Sequence, residues 1–233
     1  MNKNIFLLAL LFVASTLFTG CGLISINGTT IGQMGVATTQ TQNAPPIDPN
    51  DPSVNDEGVV INGIRWATRN VDAPGTFAAS PESAGMLFQW NRRRGWDATG
   101  NVRGWNATGA TDRTWSASND PCPPGWRVPT ENELFSLATA NVGATLNGVS
   151  GRLFGTAPNQ IFLPAVGRRF AGCRTFMHQP PAGTLLDAGL VGYYWGRESN
   201  GNSATTLTLD GSRITRGGHD SAAGHSVRCV AIN

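Results

Sequence analysis

Lysine is nearly missing from this chain: Lys3 is the only one, so every other cation among its 17 basic residues is arginine. Charge of both signs is scarce at 14%, which excludes an acidic solvating tail and a charge-rich disordered chain. A formal net charge of +2 is too weak to attract a polyanion by bulk electrostatics, and no nucleic-acid partner is expected. What is present is core material, with 40% hydrophobic residues in 233, enough for one domain or two small ones. The 29 glycines, 14 prolines and 7 tryptophans point to many turns and short strands around a few large anchors. Coiled coils and helical solenoids are thereby excluded.

The one unbroken apolar run, residues 5–14, is about half of the roughly 20 residues a spanning helix needs. It follows Lys3 and reads as the h-region of a signal peptide. It leads into Leu17-Phe18-Thr19-Gly20-Cys21, which resembles the lipobox cut by the bacterial lipoprotein signal peptidase, with Phe18 where leucine is usual. The resemblance implies that residues 1–20 are removed and that Cys21 carries lipid, anchoring the chain to a bilayer. The alternative is a free thiol after an ordinary secretory leader. Residues 21–57 are rich in Thr, Asn, Gln, Gly and Pro and end in Pro45-Pro46-Ile47-Asp48-Pro49-Asn50-Asp51-Pro52. They read as an extended polar tether. Within them Leu23-Ile24-Ser25-Ile26 could add as a strand to a sheet of this or another protein.

In an exported chain cysteines can pair. Cys122, Cys173 and Cys229 remain after cleavage, an odd number. Pairing Cys122 with Cys229 closes the longest loop, which would stabilise by roughly 4–5 kcal/mol on a chain-entropy model. Cys173 is then left over as a small buried residue.

Residues 58–233 read as one α+β domain with antiparallel strands, one or two short helices and long irregular loops. Val59-Val60-Ile61 and Ile64-Arg65-Trp66 flank Asn62-Gly63, the signature of a tight hairpin. Thr130 and Glu133 precede an apolar run and form a capping box, starting a helix expected to stop near Asn141 or Gly143. Strands are expected at 161–163, 192–195, 204–209 and 226–232. A tandem repeat, Arg94-Gly95-Trp96-Asp97-Ala98-Thr99-Gly100 and Arg103-Gly104-Trp105-Asn106-Ala107-Thr108-Gly109, holds Trp96 and Trp105 on Gly-rich turns. They could form an exposed stacking platform for a sugar, or fold back over the core.

Asp120-Pro121-Cys122-Pro123-Pro124-Gly125-Trp126-Arg127-Val128-Pro129-Thr130, with Ile64 to Val71, Gly85 to Trp90, Tyr193-Tyr194-Trp195 and Ser226-Val227-Arg228-Cys229-Val230, resembles the Fibrobacter succinogenes major paralogous domain. That family occurs on secreted and lipid-anchored proteins of Bacteroidetes and Fibrobacteres. The resemblance implies a C-type lectin-like fold, in which N- and C-terminal strands pair opposite a long loop region, and it supports the Cys122–Cys229 pairing. Residues 196–224 also resemble the variable segment of lectin-fold proteins diversified by retroelements, which ends in a similar Ser-Val-Arg string.

The matched strings are building material, so recognition is expected between them. The candidate ligand-binding residues are Trp195, Arg197, Glu198, Asn200, Asn202, Arg213, Arg216, His219 and Asp220, on glycine-interleaved loops held by a closed scaffold. A solvated loop of no recognition value is the alternative. The tripeptides Glu-Pro-Asn, Gln-Pro-Asp and Trp-Asn-Asp of calcium-dependent sugar sites do not occur. His219, Asp220 and His225 lack the spacing of a zinc motif, and no metal or cofactor is expected. No Gly-x-Ser-x-Gly elbow occurs, Cys173 with His178 has no supporting context, and the reactive cysteine pair of formylglycine-generating relatives is not reproduced, so no catalytic residue is expected. Arg92-Arg93-Arg94 and Arg168-Arg169 form two clusters suited to sialylated or sulfated glycans or to an acidic protein; alternatively they stack on tryptophans. The expected role is a lipid-anchored, non-enzymatic adhesin on the outer membrane, facing outward and touching a host or bacterial surface glycan or protein. A fimbrial or envelope-assembly subunit is the second expectation, and an envelope enzyme the third.

Overall fold

The computed structural model describes residues 51–172 and 179–232. The leader, Cys21, Leu23 to Ile26, Cys173 and His178 lie outside them. Along the described chain run β1 (Val59–Ile61), β2 (Ile64–Trp66), β3 (Leu87–Gln89), β4 (Gly95–Trp96), β5 (Trp126–Arg127) and helix α1 (Glu131–Ser136). There follow β6 (Asn141–Leu146), β7 (Val149–Thr156), β8 (Asn159–Pro164), β9 (Arg168–Arg169), β10 (Leu185–Leu186), β11 (Gly192–Asn200), β12 (Ser203–Leu209), β13 (Ile214–Asp220), β14 (Gly224–His225) and β15 (Val230–Ala231). The architecture is mostly antiparallel sheet with one short helix. No helix among the described residues is long and apolar enough to cross a membrane.

Among the described residues four sheets form, ordered β1-β2-β15-β5, β10-β9-β14-β3-β4, β11-β12-β13 and β6-β7-β8. The first joins the amino-terminal hairpin to the last strand, with Val230 opposite both Trp66 and Arg127. Its hairpin turns at Asn62 and Gly63, φ 52° and 78°, the left-handed pair that a two-residue turn between twisted strands requires. Asn147 and Gly148 repeat that geometry between β6 and β7, φ 48° and 82°.

The third sheet separates two apolar cores. Successive strand residues face opposite ways, so on β11 Trp195 enters one core with Phe88, Trp90, Trp115 and Ala204. Tyr194 enters the other with Trp66, Leu134, Phe154, Leu207 and Leu209. Two indoles lock β11 to the second sheet reciprocally: Trp195 Nε1 donates to the Phe88 carbonyl at 2.7 Å and Trp90 Nε1 to the Gly196 carbonyl at 2.9 Å.

The Cys122–Cys229 disulfide is formed, with Cα atoms 6.1 Å apart and a sequence separation of 107. Around it the Asp-Pro-Cys-Pro-Pro-Gly string is held by the Asp120 carboxylate, which accepts from the Cys122 and Val128 amides at 2.9 and 3.1 Å. Burial pushes the pKa of Asp120 up. Arg228, fully buried in the final string, donates to Asn70 Oδ1 at 3.0 and 2.7 Å and to the carbonyls of Ala67 and Phe162. Burial lowers its pKa to about 10, so it stays charged at neutral pH.

Three expectations are corrected. Residues 51–57, read as tether, are packed into the fold: Val54 is buried, and Asp56 accepts from the amide and hydroxyl of Thr68 and pairs with Arg69 at 3.3 Å. The helix stops at Ser136 and passes through a 3₁₀ turn, Leu137–Thr139, instead of reaching Asn141. Ser136 Oγ and Asn141 Nδ2 take the carbonyls of Glu133 and Ala138, while Asn141 already pairs with Phe154 on β7. Residues 196–224 are not loops around one strand; they complete β11, carry all of β12 and add β13, so most of that stretch is sheet.

Candidate functional site

A groove of about 430 Å³ lies between the β11-β12-β13 sheet and α1, lined by Glu131, Phe135, Glu198, Asn200, Ser203, Thr205, Arg216, Gly217 and Gly218. The capping box fixes α1 at its floor: Thr130 Oγ1 accepts from the Glu133 amide at 3.3 Å and Glu133 accepts from the Thr130 amide at 2.7 Å. Arg127 grips the same carboxylate with two bonds of 2.8 and 2.7 Å. That contact, first among the causes, takes the Glu133 pKa down to about 2. With Glu133 committed to the fold, the carboxylates facing the groove are Glu131 and Glu198. Glu198 accepts from the Glu131 amide at 2.6 Å, and Glu131 accepts from the Thr205 hydroxyl at 2.9 Å.

Register builds the opposite wall. Thr205 pairs with Gly218 and Leu207 with Arg216, so Arg216 shares the face of the buried Leu207 and reaches over Phe135, its guanidinium 5.7 Å from the ring centroid. No atom lies within 4 Å of a Cβ built on Gly217. The two glycines bare the strand backbone between Arg216 and the β11–β12 turn. The groove thus offers two oriented carboxylates, one guanidinium held over an aromatic ring, the Asn200 amide and exposed peptide groups. Such a mixture suits a polar ligand with hydroxyl and amide groups.

The nine residues expected to bind a ligand do not converge. Glu198, Asn200 and Arg216 line this groove. Asn202 is exposed beside it on the β11–β12 turn. Arg197 is half-buried, its carbonyl accepting from the Trp115 amide. Asp220 is half-buried too, with Oδ1 accepting from the Ala222 amide at 2.9 Å. Arg213 sits on the β12–β13 turn, three residues before the groove's Arg216, roughly 10 Å along the strand at about 3.3 Å per residue. Trp195 is corrected outright: it is fully buried in the core and its indole is already hydrogen-bonded.

His219 points to the other face, where Tyr193, His225 and Trp195 form a ring stack; His225 lies 3.8 Å from Trp195 and 5.1 Å from Tyr193. Burial, the first cause, lowers His219 to about 4 and His225 well below its usual value. Both are neutral rings that fill space. No group of three or more His, Cys, Asp or Glu placed to hold a metal occurs among the described residues.

The aromatic platform is also corrected. Trp96 is only 6% exposed and packs against the half-buried Trp105 at 4.9 Å. The Arg168–Arg169 cluster divides in the same way. Arg169 is fully buried, whereas Arg168 pairs with Asp187 at 3.4 Å and lies over Tyr193. What sequence reasoning missed in the groove are Glu131 and Phe135, read only as parts of a helix, and the bare glycines of β13. The capping box already placed Glu131 at the exposed first turn, so that signal was in reach.

Comparison with protein-family models, with curated proteins and with solved structures finds no match.

Proposed function

We propose that this protein is a lipid-anchored, non-enzymatic binding protein of the bacterial cell envelope, an adhesin-like molecule whose β13 groove takes a surface glycan or protein, on a C-type lectin-like scaffold. The observation that carries this reading is the groove itself. Oriented Glu131 and Glu198 carboxylates face Arg216 across two glycines, on a sheet anchored between two cores. Rigid support beneath an exposed polar rim is the arrangement that lowers the entropic cost of binding. Support for the scaffold comes from the pairing of the amino-terminal hairpin with the last strand and from the disulfide beside it. The lipobox-like string at Cys21 supports the anchor and the outer-membrane location.

Arrays of glycans and of envelope and host proteins, probed with the full-length chain, test the reading. Asn200→Ala removes the groove's exposed amide, and Arg216→Ala removes its cation. Each should weaken the captured ligand at least roughly tenfold, the size of one charge-assisted hydrogen bond, without lowering the unfolding midpoint. Blank arrays together with wild-type adhesion of a deletion strain would sink it.

A second reading has its own observation. Among the described residues β13 is the outer strand of its sheet, paired by β12 alone, and an unpaired edge accepts an added strand. An envelope-assembly or fimbrial subunit would use that edge, and co-purification of the chain within an intact fibre would favour it.

A further inference from the structure

The tandem repeat pairs two indoles and thereby holds a cation in place. Trp105 backs Trp96 at 4.9 Å, and Arg94 lies over the Trp96 ring, its guanidinium carbon 4.0 Å from the centroid. Beside them opens a second groove of about 340 Å³, separate from the one under β13, to which Arg92, Arg93 and Arg94 all contribute and no carboxylate does. The ion pairs among the described residues are Arg69–Asp56, Arg127–Glu133 and Arg168–Asp187; none involves these three arginines.

Each of the three is fixed by one contact and keeps donors to spare. Arg92 donates one Nη to the Thr108 carbonyl at 3.2 Å, while its Nε is buried without a partner. Arg93 donates one Nη to the Asp120 carbonyl at 2.7 Å. A guanidinium carries five N–H donors, so three adjacent, contact-held ones outside any salt bridge among the described residues form a receptor for a planar or tetrahedral oxyanion. The floor is amide. Asn119 is oriented by its two bonds to Asn91, and Gln89 by donating to the Asn106 and Ala222 carbonyls. Fixed side-chain amides beside a cation cluster suit a ligand that presents hydroxyls next to its charge.

We propose that this groove binds an anionic saccharide, one sugar unit with its sulfate or carboxylate on Arg92–Arg94 and its hydroxyls on the amide floor. The site stands apart from the β13 groove and holds whether or not that groove binds anything.

The experiment is titration calorimetry on the full-length protein in detergent micelles. The probes are a sulfated disaccharide, the same disaccharide without sulfate, inorganic sulfate and a hexaglutamate peptide. The sulfated disaccharide should bind, inorganic sulfate should compete with it weakly, and the unsulfated sugar should not bind detectably. Raising the salt from low to high should weaken binding steeply. Arg94→Gln, exposed and free of protein hydrogen bonds among the described residues, should lose at least roughly tenfold, and Arg93→Gln similarly. Arg216→Gln, in the other groove, should change nothing here. Equal affinity of Arg94→Gln and wild type would overturn the proposal, as would absence of binding to every anion. Hexaglutamate binding as tightly as the sugar would overturn the saccharide class in favour of an acidic peptide.

Discussion

Arg169 offers the sharpest test of the physical account: it is fully buried, forms no salt bridge among the described residues, sends its donors to backbone carbonyls, and is otherwise supported by the charge of Asp97. Its Nε and one Nη donate to the Asp97 carbonyl at 3.0 and 2.6 Å; the same Nη reaches Thr99 at 2.6 Å, and the other Nη reaches Gly100 and Gly183 at 2.8 and 3.0 Å. Five bonds occupy its five donors. Arg169→Met keeps the stem and removes the fork. Hydrogen bonds to a charged group are worth about 1.5–3 kcal/mol each, but a simple total overstates the loss. Asp97, Thr99 and Gly100 are exposed residues whose carbonyls water can reach once the loop opens, and the buried charge disappears with the donors. The expected destabilisation is therefore about 3–4 kcal/mol, at the lower end of what breaking a buried charged network costs. Urea unfolding followed by tryptophan fluorescence should report it. Hydrogen exchange should show lost protection across residues 95–109, and Arg94-dependent anion binding should weaken with it. Arg169→Lys should be nearly as damaging, because one compact ammonium cannot span four carbonyls. A methionine variant within about 1 kcal/mol of wild type, or full rescue by lysine, would refute the reasoning; either result would mean that the network of carbonyls is not what holds the repeat.

Two further outcomes follow from the same structure. Replacing Cys122 and Cys229 together by serine releases a loop of sequence separation 107, which on the chain-entropy model costs about 4.8 kcal/mol; a urea midpoint unchanged from wild type would contradict it. Acid should destabilise the fold in two windows. His219 and His225 have folded pKa values below the unfolded 6.5. The unfolded chain therefore binds protons that the fold refuses, and stability falls from pH 6.5 downward by up to about 1.4 kcal/mol per pH unit for each histidine, levelling for His219 below about 4. The contribution of Glu133, lowered from 4.5 to about 2, is complete above 4.5 and disappears as pH falls through 2. His225→Phe, which keeps the ring stack with Trp195 and Tyr193, should flatten the upper window; an identical acid profile in that variant would exclude the histidine origin.

Local chemistry was legible in the sequence wherever a short string carried its own geometry. Asn62-Gly63 dictates its turn, Thr130 and Glu133 dictate theirs, and the disulfide partners stood out as the most distant pair available. Strands β8, β11 and β12 showed as apolar or alternating runs. Strand β13 did not, because Ile-Thr-Arg-Gly-Gly-His-Asp has no apolar alternation; it is a strand because β12 pairs with it along its whole length. The same tertiary override hid β6 and β7, whose Asn147-Gly148 turn carries the very signal read at Asn62-Gly63. Of the candidate groove, Glu198, Asn200 and Arg216 were therefore visible as residue types, and its shape was not. The arginines misled for the converse reason: Arg169 and Arg228 look like surface charges until backbone carbonyls are found around them.

The sheet that zips the first hairpin to the last strand also sets how the molecule carries mechanical load. A pull arriving from residue 51 reaches β1 and β2 first, and β2 is stitched to the carboxy-terminal segment through Ala67 to Cys229, Val71 to Val227 and Trp66 opposite Val230. The covalent bridge at Cys229 then hands the force to Cys122 and the segment leading to α1. Tension arriving at residue 51 would thus be shared between shearing backbone bonds and a sulfur link before it reached the groove over α1.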